Sequence, residues 1–143
     1  MDMVKWLEEV KAWAGGWPKQ AASWFEASYG LNPDFALKVA MLYLALWAAR
    51  LNPRVTSGWR DPSHVRDLQR QWDSGDHTGL KVRPLDPEKS KHSRTNLWGG
   101  PDAHAVDIQC SDSQLAGRIG QALGLEAGVF YTHPDPGHFE TIS

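Results

Sequence analysis

From Phe35 to Ala49 the chain is apolar at every position except Lys38. A helix that is apolar nearly all round cannot lie half in water as an amphipathic helix does, so other elements must wrap it. This segment therefore predicts a central helix. Asn32-Pro33 supplies an N-cap and a first-turn proline, and Asn52-Pro53 stops the helix after Leu51. One lysine and a run short of ~18 uncharged residues argue against a membrane span. With 143 residues the chain is the size of one domain, long enough to bury about 68–70% of its unfolded surface.

Candidates for the wrapping lie on both sides. Met3, Trp6, Leu7, Val10, Trp13 and Ala14 recur at three- and four-residue steps, predicting an amphipathic helix that ends at Gly15-Gly16. Pro18, Ala21, Trp24, Phe25 and Ala27 predict a second short helix up to Gly30. Arg54–Ser57 reads as a strand, and Asp61-Pro62 opens a helix carrying Val65, Leu68 and Trp72. Residues 76–102 show no sustained period and are expected to form a long loop. Ala103–Gln109 reads as a strand, and Ser111 or Asp112 caps a helix with Leu115, Ile119 and Leu123. Val129-Phe130-Tyr131 and His138–Ile142 are expected to close the fold as a strand pair. The order predicts an α+β fold, a small antiparallel sheet with flanking helices, preceded by short N-terminal helices. Residues 1–30 are expected to be a helical extension and residues 31–143 the main domain.

Charge and cysteine content narrow the function classes. Fifteen basic against seventeen acidic residues leave a net charge of −2, with no basic field for nucleic acid or an anionic membrane. One cysteine, Cys110, excludes an internal disulfide framework and a cysteine-rich zinc finger, so a metal site must use His and carboxylates. The acidic N-terminus, Met1-Asp2-Met3-Val4-Lys5-Trp6-Leu7-Glu8-Glu9, does not read as an ordinary export signal. Five of eight tryptophans precede residue 52 and five of six histidines follow residue 76, so the front reads as structural and the back as chemical. Trp6, Trp13, Trp17 and Trp24 read either as packing of short helices or as a docking surface for a wall polymer or virion partner.

A sparse constellation stands in the second half: Ser90-Lys91-His92, Ala105-Val106-Asp107-Ile108 and Asp135-Pro136-Gly137-His138-Phe139-Glu140. A catalytic zinc needs three protein ligands and an open position, and His92, Asp107 and His138 would supply the ligands. Asp135, three residues before His138, is placed to move a proton if its turn directs both side chains into one cleft. On a strand His104 points away from the face of Asp107, which favours a structural or rim role. His133 reads equally well as exposed or as lining the cleft. Asp61 reads as an N-cap, and Arg60 either as its ion-pair neighbour or as a functional cation.

Ser57-Gly58-Trp59-Arg60, Ser90-Lys91-His92, Ala103-His104-Ala105-Val106-Asp107 and Asp135-Pro136-Gly137-His138, in this order, resemble a family of zinc peptidases acting on bacterial cell-wall peptides. The family comprises D-alanyl-D-alanine carboxypeptidases, vancomycin-resistance dipeptidases and phage L-alanyl-D-glutamate endolysins, with hedgehog signalling domains as distant relatives. The resemblance covers roughly residues 35 to 142. It implies a hedgehog-type peptidase fold in which His92, Asp107 and His138 hold zinc and Asp135 is the general acid/base. It further implies that Arg60 braces the substrate or developing oxyanion. Ser90, His133 and Tyr131 are the expected substrate-binding residues, and a peptidoglycan stem peptide the expected substrate. A protein so equipped would be made in the cytoplasm and act on the wall. The alternative is a catalytically silent zinc-containing binding or virion structural module. Fourteen residues, 93–106, separate His92 from Asp107, more than the family pattern has, so a segment such as Thr95–Asp102 is expected to loop out.

Overall fold

Local capping chemistry sets most of the helix boundaries in the computed structural model, which describes residues 2–142. Helix α1 (Met3–Ala14) starts where the Lys5 N–H donates to the Asp2 carboxylate. Helix α2 (Trp17–Tyr29) ends at Gly30, whose left-handed backbone lets its N–H donate to the Glu26 carbonyl. Helix α3 (Pro33–Ala48) begins with Asp34 and Phe35 N–H groups donating to the Asn32 side chain. It stops at Ala48 rather than Leu51, because Arg50 and Asn52 turn the backbone left-handed at φ 59° and 49°. Helix α4 (Pro62–Asp73) is capped by Asp61 and α5 (Ser113–Ala122) by Asp112.

Four strands, β1 (Arg54–Ser57), β2 (Ala105–Gln109), β3 (Leu125–Ala127) and β4 (His138–Thr141), form one antiparallel sheet in the order β1-β2-β4-β3. The protein is thus α+β, five helices with a small antiparallel sheet. Val129 and Phe130 are not part of a strand. Gly124, at φ 82°, closes the turn after α5 so that Leu125–Ala127 take the place beside β4, and Gly128–Phe130 coil into a 3-10 turn. High strand propensity in Val129-Phe130-Tyr131 loses to the register that this turn imposes.

Ala36, Val39, Ala40, Leu42, Ala45 and Leu46 of α3 are fully enclosed, as a helix apolar all round requires. Leu7 and Val10 of α1, Phe25 of α2 and Ile119 of α5 join the same cluster as Val106, Ile108 and Phe139 of the sheet. The N-terminal helices thus divide their apolar side chains. Leu7, Val10 and Phe25 are buried, whereas Trp13 and Trp24 remain more than half exposed.

The pleat decides where chemistry can sit. On β2, Val106 and Ile108 face the helices, and Asp107 faces the other way. Antiparallel pairing places Asp107 opposite His138 on β4 and Ser57 on β1, with an irregular register between Val55 and Ser57.

Candidate metal centre

Sheet register brings Asp107 and His138 together, and a separate turn delivers His92 to them. Lys91–Ser93 form a 3-10 turn in which the His92 N–H donates to the Ser90 hydroxyl at 3.3 Å. The turn is fastened on both sides, since Arg60 N–H donates to the His92 carbonyl and His104 N–H to the Lys91 carbonyl. His92 Nε2 lies 3.4 Å from His138 Nδ1 and 3.4 Å from Asp107 Oδ1, and His138 Nδ1 lies 3.0 Å from the same oxygen. Ligands at 2.0–2.1 Å around a tetrahedral ion are separated by roughly 3.3–3.4 Å, the bond length times ~1.63. Two edges of the triangle match one tetrahedral face, and the third, Asp107 to His138 at 3.0 Å, is shorter. The three residues form a group able to hold a metal ion, and the two-imidazole, one-carboxylate set suits zinc.

Each ligand is also held from behind. His92 Nδ1 is 2.8 Å from the Gly58 carbonyl, which can only accept, so Nδ1 carries the hydrogen and Nε2 presents its lone pair to the triangle. His138 Nε2 is 3.0 Å from Glu140 Oε1, which in the same way leaves Nδ1 facing inward. Asp107 Oδ2 accepts from Arg60 at 2.8 Å, leaving Oδ1 for the triangle. Glu140 itself accepts from Lys91 Nζ at 2.6 Å and from the Tyr131 hydroxyl at 2.8 Å.

Electrostatics follow from this crowding. Burial opposes charge on Asp107, but the His138 and His92 imidazoles against its Oδ1 and the field of Arg60 hold its carboxyl well below the usual range. Burial likewise opposes the imidazolium of His138, and the bonds to Asp107 and Glu140 outweigh it and raise its pKa. Glu140 is lowered by Lys91, Tyr131 and His138 against the pull of burial. Tyr131 is raised by burial and by the neighbouring Glu140 carboxylate.

Asp135 stands beside the triangle without entering it. Its Oδ2 is 3.8 Å from His138 Nδ1 and its side chain is 63% exposed, a carboxylate open to solvent. Two glycines set its turn. A Cβ on Gly128 would come within 2.4 Å of the Asp135 carbonyl, and one on Gly137, at φ 86°, within 2.8 Å of the Ile108 carbonyl.

The other sequence candidates fall around this centre. Arg60 is anchored by Nε to Ser57 and by a terminal nitrogen to Asp107. Ser90 caps the turn of His92, and Tyr131 holds Glu140. His133 is exposed on the loop before Asp135. His104 lies outside the triangle, stacked on Phe35 and 3.7 Å from Asp102. The extra residues after His92 fold outward: Thr95 bridges Pro101, Asn96 accepts from Trp98 and Gly100 N–H groups, and Leu97 and Trp98 sit exposed at the tip. Glu140 and Gly58, which stand inside two of the quoted segments, carry support roles that those segments did not assign to them. Alternation could have flagged Glu140, since it sits two residues after His138 and so on the same face of β4.

No protein-family model and no curated protein matches the chain.

Proposed function

We propose that the protein is a zinc-dependent peptidase that hydrolyses a peptide bond of bacterial peptidoglycan, with a hedgehog-type peptidase fold like that of the endolysin and D,D-carboxypeptidase family. The observation that carries this reading is the His92–Asp107–His138 triangle, braced behind each ligand, with Asp135 unligated at its edge. A purely structural zinc site is closed and has no use for a further, solvent-facing carboxylate.

His92, Asp107 and His138 would hold the zinc, which would supply Lewis acidity to a scissile carbonyl and to a water. Asp135 accepts a proton from the attacking water at its carboxylate and returns it to the leaving amine. Two nitrogens of Arg60 are committed to Ser57 and Asp107, which leaves its other N–H donors for a carbonyl oxygen on which charge develops. Glu140 and Gly58 fix the imidazole tautomers, so both rings meet the ion with lone pairs.

The test is mass spectrometry of purified peptidoglycan digested by the zinc-loaded protein. New L-alanine, D-glutamate or D-alanine ends on the stem peptide are expected and name the bond. An intact peptide network after digestion with zinc-replete protein overturns the reading.

A further inference from the structure

The wrapping of α3 has a gap at Leu37, which is 42% exposed on a helix whose composition calls for enclosure. There a groove of about 520 Å³ opens between α1, the first turn of α2, α3 and the residue after α5. Its apolar lining includes Leu37, the buried Leu7 and Met41, and the half-buried Leu123. Lys11 of α1, Lys19 of α2 and Lys38 of α3 line the same groove, against one carboxylate, that of Glu8. None of these lysines has an ion-pair partner among the described residues. Lys38 is the one charge in the apolar run from Phe35 to Ala49. The groove is thus locally positive on a chain whose net charge is −2, and it shares no residue with the metal centre.

We propose that this groove binds a single-chain anionic amphiphile, an alkyl chain ending in an anionic group. Charge complementarity selects the head group, since ammonium donors make charge-assisted hydrogen bonds to an anion that a neutral group cannot match. Leu37, Met41 and Leu123 take the chain, and covering Leu37 completes the enclosure of α3. The volume falls within the roughly 300–1,000 Å³ of small-molecule sites, which are likewise apolar with a few polar groups that fix orientation. A bilayer is the poorer occupant, because the lining is concave and the chain as a whole is acidic. A ligand seated here touches α1, α2 and α3 together, so its binding also stabilises the packing of the N-terminal helices.

The test is an NMR titration of the full chain with three probes: octanoate, which has both features, 1-octanol, which lacks the charge, and acetate, which lacks the chain. Expected are saturable methyl shifts at Leu37, Met41 and Leu123, with octanoate at least tenfold tighter than acetate and at least threefold tighter than octanol. The melting temperature should rise with octanoate concentration. Lys19→Gln and Lys38→Gln should each weaken octanoate at least twofold and leave octanol unchanged, whereas Leu37→Gln should weaken both. All three side chains are exposed, so these variants do not depend on core packing. Absence of saturable shifts at these residues, equal affinity for octanoate and octanol, or an octanoate affinity unmoved by both lysine variants overturns the proposal. So does cosedimentation of the chain with phosphatidylglycerol vesicles that excess octanoate leaves undiminished, which would assign this face to a bilayer surface.

Discussion

Replacing Glu140 with alanine removes the group that holds His138 from behind. The carboxylate accepts from His138 Nε2 at 3.0 Å, from Tyr131 at 2.8 Å and from Lys91 Nζ at 2.6 Å, and both members of the Lys91 pair are less than one-fifth exposed. Loss of such an outer partner typically lowers metal affinity 10–100-fold, about 1.4–2.7 kcal/mol. Lys91 Nζ still has the Thr141 carbonyl as an acceptor, so the cost in metal-free stability should fall below the ~3–5 kcal/mol of breaking a fully buried pair, near ~2 kcal/mol. For a chain of this size that is roughly 5–8 °C in melting temperature. Glu140→Gln keeps an acceptor for His138 and should lie at the weak end of both ranges. Zinc competition against a chromophoric chelator and melts of metal-free protein measure the two effects. Zinc affinity of Glu140→Ala within twofold of the parent would refute the idea that Glu140 orients His138.

Three further outcomes follow from the same geometry. Asp135→Asn should keep its zinc and its melting temperature and lose about 10²–10⁴-fold in hydrolysis of stem peptides, the range of a general acid/base; turnover within a few-fold of the parent in a peptide-release assay would assign the proton transfer elsewhere. In metal-free protein the raised pKa of His138 contributes stability that is complete below its ordinary value near 6.5 and is lost as pH rises through the raised one. Zinc must displace that proton, so its affinity should climb over the same window, and paired melts and zinc titrations across pH 5 to 8 should show the two trends running in opposite directions. A chain beginning at Leu31 loses Leu7, Val10 and Phe25 from the core, each worth ~1.5–3 kcal/mol, a sum comparable with the whole ~5–15 kcal/mol of a domain. It should lack a cooperative melt; a transition matching the parent's would show that residues 1–30 are a true extension.

Helix positions were legible because caps and prolines are local signals. Asn32-Pro33 and Asp61-Pro62 start α3 and α4, and the all-round apolarity of α3 announced its burial. The exit from α3 was less so, since nothing short-range marks Arg50 as left-handed. The sheet edge was misread at Val129-Phe130 because β-branched and aromatic residues favour strands only where a partner is in register, and Leu125–Ala127 already occupies β4's free side. In the candidate site, the sequence pointed to His92, Asp107, His138 and Asp135 as a set but not to their separations, which depend on the long-range pairing of Asp107 with His138. Gly58 was invisible as a partner because it acts through its backbone carbonyl, which every residue has.

Metal content of the purified chain and its histidine variants bears most directly on the triangle. Elemental analysis after dialysis against trace zinc should give one zinc per chain for the parent and for His104→Ala, whose ring lies on Phe35, and under about a tenth for His92→Ala and His138→Ala. Full zinc occupancy in His92→Ala and His138→Ala, or its loss in His104→Ala alone, would contradict the account.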